Sequence, residues 1–540
     1  MIEIKLNNKS IYLTILSLML IFIGCETSPD EEATSLGGCE TGSMNIVLYI
    51  SDDHGQDLGA YGNDVIQTPN LDVLAEEGVL FTHAFATTAS CSASRSVILS
   101  GLHNHRNGQY GHEHDYSKFS SHGNIQGVSN LLSENGYRTA RSGKYHVAPE
   151  EVYRFDQALP GHSRNPVEMA DMARDFINPE DNRPFFLLIG TSDPHRGGGR
   201  ATELPFHPDR FGNSPEGYEG VEEVTYDPEE VIVPSFLPDN EATRQELAQY
   251  YQSVSRLDQG FGRLVENLKE AGVYDNTVII YISDHGMAFP GAKTNVYEPA
   301  LLSPLIVRDP CIEAGGIVNQ AMISWVDITP TILDYAGVEP PTYSREVSQG
   351  VIRDFYPESH GLHGRSFRPI LEQPNPVGWD EIHASHTFHE IHMYYPMRVV
   401  RDREYKLIWN IAYGVPYPNA SDLQTSATWQ YVLGRFAEES EGGTEVDDTA
   451  RPGPDAEFGL DAAFGHRTVR EYIQRPEFEL YDMRDDPEES TNLASDPAYA
   501  DVLEEYIDRL RQFQRDTEDP WYIKWVYRDQ SEHVFEEPEY

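Results

Sequence analysis

Two short apolar runs of nearly identical sequence most constrain the fold of this chain. The first is "MNIVLYISDDHG" at residues 44–55, and the second is "NTVIIYISDHGM" at residues 276–287. Each run is continuously apolar and rich in β-branched residues, which is typical of a parallel strand buried on both faces. Each run ends in acidic residues and a glycine. Because parallel strands end along one edge of an open sheet, we expect these acidic residues to lie on a common rim, where such sheets bind ligands.

The polar residues that follow the two runs form a candidate metal site. They are Asp52, Asp53, Asp284 and His285. Carboxylates crowded at one sheet edge repel each other unless a cation lies between them, and hard oxygen ligands suit Ca²⁺ or Mg²⁺. Acidic residues at strand ends also cap helices or bind only water. The presence of two matching strand ends in one chain favours the metal site.

Helix-like and strand-like segments alternate between the two runs. Residues 70–86 and residues 127–146 each follow the order helix, glycine, strand. Residues 243–273 have the apolar spacing of a long amphipathic helix, and we expect a break near Gly260. This βα alternation predicts an α/β core with a largely parallel sheet.

A second subdomain is predicted near the C-terminus. A chain of 540 residues exceeds what one hydrophobic core normally supports. From about residue 380 the pattern changes to antiparallel strands followed by a closing helix. We therefore predict an α/β catalytic domain over residues 44–379 and a smaller subdomain over residues 380–540.

The charge balance excludes one class of partner. The chain has 88 Asp and Glu against 40 Lys and Arg, which gives a net charge of -48. Such a surface repels nucleic acid and anionic membranes, so we expect no nucleic-acid partner. An anionic substrate would need a local basic pocket. The acidity is also explained by solubility, including solubility in salty surroundings.

The N-terminus resembles an export signal. Residues 11–24 form an apolar stretch too short for a comfortable membrane span. Gly24 followed by Cys25 resembles a bacterial lipobox, in which the cysteine is lipidated, although an ordinary signal peptide would look similar. Residues 25–43 are polar and read as a tether. We therefore expect a signal over residues 1–24 and an exported protein anchored in the bacterial envelope only through lipid on Cys25.

Of the four cysteines in the chain, Cys91 lies in the most informative context. It opens the stretch "CSASRSVILSG", which predicts a buried helix with the thiol at its N-terminus. Backbone N–H groups at that end favour negative charge, and Arg95 adds a formal positive charge one turn later. A bare thiolate would be activated there, although a buried structural cysteine fits the same stretch. Cys39 and Cys311 can pair with each other, but the sequence does not decide this.

The stretch "CSASR" resembles the signature of the formylglycine-dependent sulfatases, which belong to the alkaline phosphatase superfamily. The resemblance continues through "SVILSGLHNHRNGQYG", "DDHG", "GKYH", "DPHR", "SDHG", "FPGAKTNVY", "DITPTIL" and "FELYDMRDDPEESTNL", over roughly residues 44–525. Within the family the chain looks most like the heparan N-sulfatase branch. The resemblance implies an alkaline-phosphatase-like sandwich with a largely parallel central sheet. It also implies a C-terminal α+β subdomain with a four-stranded antiparallel sheet.

The resemblance implies a modified nucleophile beside a metal. A maturation enzyme would convert Cys91 to Cα-formylglycine, whose hydrated aldehyde attacks sulfur with one hydroxyl and expels sulfate with the other. Metal-ligand positions of the family match Asp52, Asp53, Cys91, Asp284 and His285. The expected ion is Ca²⁺, with Mn²⁺ or Mg²⁺ as alternatives.

The same resemblance assigns roles to the remaining catalytic positions. Arg95 and Lys144 match positions that stabilise the modified residue and the developing charge. His146 matches the histidine that orients the modified residue. His195 and Lys293 match positions that grip the sulfate, with His195 as the proton donor to the leaving group.

Four residues depart from the family pattern. Ala93 stands where many members have proline, and the signature allows alanine. His285 replaces the common asparagine and is a softer metal ligand. Lys293 stands where the N-sulfatase branch carries arginine. A compact ammonium group therefore replaces a planar guanidinium group, which can donate two parallel hydrogen bonds. Gly197 replaces a cysteine of the animal enzyme.

The resemblance implies hydrolysis of a sulfated saccharide. Two substrates stay open: N-sulfoglucosamine of heparan type, and an O-sulfated sugar of an algal polysaccharide such as ulvan. We expect His386, His389 and Glu390 to contact the sugar, although a surface histidine cluster is an alternative. Two further functions are considered, a phosphonate or phosphate monoester hydrolase of the same superfamily and a catalytically dead glycan-binding lipoprotein.

Overall fold

A computed structural model of the chain describes residues 44–177, 181–197, 210–345, 355–434 and 459–531. The predicted signal, the tether, Cys25 and Cys39 lie outside the described residues. The α-helices are α1 (Pro69–Glu77), α2 (Cys91–Ser100), α3 (Asn104–Asn107), α4 (Val128–Glu134), α5 (Pro166–Met172), α6 (Arg174–Ile177), α7 (Glu241–Glu270), α8 (Glu298–Leu301), α9 (Ile328–Ala336), α10 (Ser421–Gln424), α11 (Ala427–Val432), α12 (Val469–Ile473), α13 (Ala500–Asp516) and α14 (Ile523–Ser531).

The strands form one large sheet, one sheet of four strands and two small pairs. They are β1 (Asn45–Ser51), β2 (Val79–Phe85), β3 (Arg138–Gly143), β4 (Gln157–Leu159), β5 (Phe185–Gly190), β6 (Thr277–Ser283), β7 (Leu305–Arg308), β8 (Ile317–Ser324), β9 (Tyr343–Ser344), β10 (Ser359–His360), β11 (Glu381–His386), β12 (Met397–Asp402), β13 (Tyr405–Asn410), β14 (Ala463–Phe464), β15 (Arg467–Thr468) and β16 (Phe478–Asp482).

The large sheet has eight strands in the order β4-β3-β5-β1-β6-β7-β2-β8. Only β7 runs antiparallel to its neighbours, so the predicted largely parallel sheet is confirmed. The two matching apolar runs are the adjacent central strands β1 and β6. Their register pairs Ser51 with Ser283, which brings the polar residues after each strand to the same point of the sheet edge.

Helices cover both faces of this sheet, which explains why its central strands are apolar throughout. Ile46 and Leu48 of β1 pack into one core cluster with residues of α2, α4 and α9. Val47 and Tyr49 point the other way, into a cluster with residues of α1, α5 and α7. Each fully buried aliphatic side chain contributes about 1.5–3 kcal/mol to folding, so these two layers hold the sheet edge in place.

The four-stranded sheet β11-β12-β13-β16 is antiparallel, as predicted. Val400 and Leu407 on one face pack with Leu510 of α13. Val399 and Ile408 on the other face pack with residues near α8 of the first domain. The C-terminal sheet is therefore packed against the first domain. The division between residues 379 and 380 stays a prediction.

The expected break in the long helix is wrong, because α7 continues through Gly260 to Glu270. A Cβ atom at Gly260 would lie 2.2 Å from the Cβ atom of Pro166. The absence of a side chain at Gly260 therefore allows α5 to approach α7 closely, and the helix does not turn there.

Two sequence-based expectations concern segments that the structure describes only in part. Cys311 takes part in a disulfide, and Cys39, the partner considered from the sequence, lies outside the described residues. Within the part of the chain that the structure describes, no helix combines the length and apolar character needed to cross a membrane.

Candidate active site

The predicted nucleophile is the first residue of α2. Ser90 before it has an extended backbone, and Cys91 is fully buried with a free thiol. Its Sγ atom lies 3.4 Å from Oδ1 of Asp53 and 3.5 Å from Nε2 of His285. The N-terminus of a buried helix therefore delivers this side chain directly to the ends of β1 and β6, as the sequence predicts.

The residues that follow β1 and β6 form a tight group around this thiol. Asp52, Asp53, Asp284 and His285 are all fully buried. Oδ1 of Asp284 accepts hydrogen bonds from the backbone N–H groups of Asp53 and His285, both at 3.0 Å. Nε2 of His285 lies 3.0 Å from Oδ1 of Asp53. The backbone of the two strand ends therefore fixes the positions of the acidic side chains.

Three cations face the three carboxylates, and two of them, Arg95 and Lys293, are buried. Arg95 donates from Nε to Asp284 at 2.9 Å and from Nη2 to Asp52 at 3.2 Å. Lys144 donates to the other carboxylate oxygen of Asp52. Nζ of Lys293 donates to Asp53 at 2.8 Å. The group thus holds equal numbers of fixed positive and negative side chains in a protein that is strongly acidic elsewhere.

These pairs control the ionisation of the carboxylates. Burial raises the pKa of Asp52, but Lys144, His195 and Arg95 outweigh it and hold the pKa well below its usual range. The pKa of Asp53 is also held well below its usual range, since Lys293 and His195 overcome the effect of burial. Both carboxylates are therefore charged at neutral pH.

The thiol and the nearby histidine keep their neutral forms. Burial and the Asp53 charge raise the pKa of the Cys91 thiol well above its ordinary value. The expected activated thiolate is therefore wrong for the unmodified chain, because burial, followed by the charge of Asp53, keeps the thiol protonated. Burial, followed by Lys293, lowers the pKa of His195 to about 4.

The donor atoms fit a divalent metal ion. Cys91, Asp284 and His285 each offer one ligand atom, and these atoms lie within 4.8 Å of one another. Asp52 and Asp53 form a second such group with Cys91 and His195. Because the two groups share Cys91, one ion beside this residue can reach carboxylates from both strands.

A cavity of about 830 Å³ opens above this group. Cys91 lies beneath its floor. The predicted catalytic residues that line the cavity are Lys144, His146, His195 and Lys293. Other lining residues include His112, His114, Asp115, Arg164, His389, Glu390 and Asp422. The structure thus brings residues far apart in sequence to one cavity.

The three residues predicted to bind the sugar differ in position. His389 lines the cavity, and its Nδ1 atom lies 2.9 Å from Oγ of Ser90. Glu390 also lines the cavity and is hydrogen-bonded to Ser421. His386, at the end of β11, is 1% exposed and does not line the cavity. The alternative of a surface histidine cluster is therefore wrong for His386 and His389, which are 1% and 3% exposed.

Two further residues of the site carry no sequence signal. Asp422 on α10 lies 2.7 Å from Nζ of Lys293, so this lysine bridges two carboxylates from different domains. Arg164 donates from Nη1 to Asp193 at 2.9 Å and from Nη2 to the carbonyl of His195 at 3.0 Å. Arg164 therefore holds the turn that carries His195. Neither residue lies in a sequence motif that predicted the site.

We expect His389→Ala and Glu390→Ala to lower the hydrolysis rate of the natural saccharide more than that of a small aryl sulfate. Loss of contacts to sugar hydroxyls costs about 1–3 kcal/mol of transition-state binding, roughly 5- to 150-fold in rate. The measurement is kcat/KM on both substrates. His386→Asn is the matched control, because this histidine is buried outside the cavity. Equal losses on both substrates would place the two residues in the sulfate site or in folding.

Comparison with known proteins agrees with this geometry. The family model Sulfatase matches residues 44–338. Human N-sulphoglucosamine sulphohydrolase is 37% identical over 497 residues, which cover 90% of this chain and 93% of that protein. An ulvan-active sulfatase of Formosa agariphila is 26% identical over 483 residues, which cover 86% of this chain and 78% of that protein.

A solved structure shows the same fold. It is a complex with the substrate D-glucosamine-2-N,6-O-disulfate, and it superposes with a TM-score of 0.58 at 22% identity. The superposition covers 88% of this chain and 99% of that one. With a buried cysteine among carboxylates beneath a cavity lined by lysines and histidines, and with these relatives, the chain belongs to the sulfatase family and hydrolyses the sulfate esters or sulfamates of sugars.

Proposed function

We propose that this protein removes the N-sulfate of glucosamine in heparan-type saccharides, with formylglycine derived from Cys91 as the nucleophile. The observation that carries the proposal is the position of the Cys91 side chain, within 3.5 Å of both Asp53 and His285. The substrate is supported by the 37% identity to human N-sulphoglucosamine sulphohydrolase.

The modification replaces the CH₂SH group of Cys91 with an aldehyde. Sulfur leaves, and a separate maturation enzyme provides the oxidant. When present, the hydrated aldehyde supplies one hydroxyl that attacks sulfur and a second that allows sulfate to leave.

The side chains around Cys91 stabilise charge and move protons. Lys144 and Lys293 face the cavity floor and would hold the sulfate oxygens, on which negative charge grows in the transition state. Arg95 holds Asp52 and Asp284 in place beneath them. His195 lines the cavity with its Nε2 atom 3.1 Å from Nζ of Lys293. Because its ring is neutral, His195 would pass a proton from Lys293 to the departing nitrogen of the sugar.

We propose Ca²⁺ as the bound ion, held by Asp52, Asp53, Asp284, His285 and modified Cys91. Three carboxylates and one imidazole form a mainly hard donor set, which suits this ion. When bound, the ion lowers the pKa of the attacking hydroxyl and holds the sulfate oxygens.

Removal of the metal should abolish hydrolysis. We expect activity to disappear after exhaustive chelation and to return with Ca²⁺. Without the ion, the three carboxylates would repel the oxygens of the hydrated aldehyde at residue 91. Elemental analysis before and after chelation accompanies the rate measurement. Full activity in a preparation without metal would contradict the proposed site.

The substrate test compares release of sulfate from N-sulfoglucosamine, from an O-sulfated ulvan oligosaccharide and from a phosphonate monoester. We expect the highest kcat/KM on N-sulfoglucosamine. Preference for the ulvan saccharide would favour the second candidate. That candidate is supported by His285 and Lys293, which depart from the N-sulfatase pattern, and by the 26% identity to the ulvan-active sulfatase. Preference for the phosphonate, or no turnover of any substrate by matured protein, would overturn the proposal.

We propose that the protein is exported and anchored in the bacterial envelope by lipid on Cys25. The apolar residues 11–24 and the following cysteine support this location. The partners would be the sulfated saccharide and the maturation enzyme, with membrane contact only through the anchor.

We expect Cys25→Ala to release the protein from the membrane fraction, since no acyl chain can then be attached. The measurement is fractionation of cells that express each form, followed by mass analysis of the mature N-terminus. A variant that stays with membranes as the parent does would contradict lipidation.

A further inference from the structure

Three histidines that line the cavity above the predicted calcium site lie close together. His112 and His114 lie on the loop after α3, and His146 follows β3. One ring nitrogen from each of the three lies within 4.8 Å of the others. This group contains none of the carboxylates that surround Cys91, so its donors are imidazole only.

Two of the three rings are oriented by neighbours. Nδ1 of His114 lies 2.5 Å from Oδ2 of Asp115, which leaves Nε2 to face the cluster. Nε2 of His112 lies 2.8 Å from Nε2 of His389, which leaves Nδ1 to face His114. A histidine that binds a metal typically gives its other nitrogen to a carboxylate or another polar group in this way.

The two facing nitrogens are already close. Nδ1 of His112 and Nε2 of His114 lie 2.7 Å apart. With metal–nitrogen bonds of about 2.0–2.1 Å, two ligands of a tetrahedral ion lie about 3.3 Å apart. An ion can therefore replace this hydrogen bond after a small separation of the two rings.

His146 supplies the third side of the cluster. Its ring stacks on His114 with the centroids 4.8 Å apart and meets the edge of His112 at 4.9 Å. Neither of its ring nitrogens has a hydrogen-bond partner among the described residues, although both atoms are buried. Its backbone has a φ of 60°, in the left-handed region. This conformation is uncommon for a residue other than glycine, so the position of the ring costs conformational energy. His146 therefore places an unpartnered imidazole against the rings of His112 and His114.

We propose that His112, His114 and His146 form a second metal site, which takes a transition-metal ion such as Zn²⁺, Co²⁺ or Cu²⁺. Imidazole ligands favour these ions, whereas the oxygen-rich site below favours Ca²⁺. The His114 side chain is 45% exposed, which gives an ion in solvent a path to the site.

Occupation of this site would act on the enzyme through His146. If the proposed role of His146 in orienting the nucleophile holds, an ion bound to its ring slows sulfate release. The site would then make hydrolysis sensitive to transition metals while calcium is bound. This consequence rests on the proposed function, but metal binding at the three histidines does not.

The test uses the full chain carrying Cys91→Ser, which removes the thiol from the lower site, with Ca²⁺ in excess. Co²⁺ is titrated and followed by its visible absorption, and Zn²⁺ is then added as a competitor. We expect one Co²⁺ site, with imidazole ligation and displacement by Zn²⁺. His114→Gln should abolish the site. Asp115→Ala should weaken binding on the order of 10- to 100-fold, because the carboxylate orients the ring.

His83→Gln is the matched control, since this histidine lies on β2 on the far side of the large sheet. Its Co²⁺ affinity should equal that of the parent. The proposal is overturned by Co²⁺ binding that His114→Gln leaves unchanged, by loss of the site in His83→Gln as well, or by the absence of any Co²⁺ site. His114 and Asp115 are both exposed, so their substitution should not disturb folding.

A second measurement separates this proposal from the proposed function. With the matured enzyme in excess Ca²⁺, we expect Zn²⁺ to slow sulfate release from the preferred substrate, and His114→Gln to raise the Zn²⁺ concentration needed for half inhibition by at least about 10-fold. If Co²⁺ binds at the histidines but Zn²⁺ does not inhibit, the metal site stands and the role of His146 is wrong.

Discussion

Cys91→Ala is expected to lower kcat/KM for every sulfated substrate by at least about 10⁴-fold. The alanine side chain cannot become an aldehyde, so the variant loses the nucleophile and one metal ligand together. The remaining charges of Lys144 and Lys293 would still bind sulfate. We therefore expect the variant to bind substrate while it fails to release sulfate, which single-turnover kinetics and a binding measurement on the same preparation distinguish.

Ser92→Ala is the matched control for Cys91→Ala. Ser92 is the next residue of α2, is equally buried and differs from alanine by one oxygen atom. It accepts one hydrogen bond from the backbone of Glu113, so its loss should cost about 1 kcal/mol of stability and little activity. Comparable losses of activity in both variants would mean that the integrity of α2, and not the nucleophile, determines the rate.

Lys293→Met is expected to damage both activity and stability. Nζ of Lys293 lies 2.8 Å from Asp53 and 2.7 Å from Asp422, and the lysine side chain is 1% exposed. Removing one member of a buried ion pair typically costs 3–5 kcal/mol, because the other charge stays buried. Loss of a charge that faces the transition state should lower kcat about 10²- to 10³-fold. Chemical denaturation and steady-state kinetics measure the two effects.

Lys406→Met separates these two effects. Lys406 is also buried, and its Nζ atom lies 2.7 Å from Glu489 and 3.2 Å from Glu298, away from the cavity. We expect its free energy of unfolding to fall as in Lys293→Met, while kcat under folded conditions stays near that of the parent. A similar fall of kcat in both variants would show that instability explains the loss in Lys293→Met.

The central features of the fold follow from local patterns. A strand buried on both faces must be apolar throughout, so the two matching runs identified β1 and β6, and their shared ending identified Asp52, Asp53 and Asp284 as neighbours. The position of Cys91 at a helix N-terminus followed from the apolar stretch after Arg95. These predictions succeeded because each depends on a few consecutive residues and on the general geometry of parallel sheets.

Features that depend on long-range packing could not be predicted in the same way. Asp422 reaches Lys293 only because the C-terminal sheet packs against the first domain, and no local pattern marks it. His386 was expected to contact the sugar but is buried outside the cavity. Gly260 predicted a helix break, but it lies within a continuous helix and allows Pro166 to pack closely against it. In each case the partner in space is distant in sequence.

The most direct test of this account is peptide mass analysis of residue 91 in purified, active protein, combined with the rate of sulfate release from the same preparation. Replacing CH₂SH by an aldehyde should lower the mass of this peptide by about 18 Da. We expect the specific activity of different preparations to rise in proportion to the modified fraction. Full sulfatase activity in protein that carries only the unmodified Cys91 thiol would contradict the account.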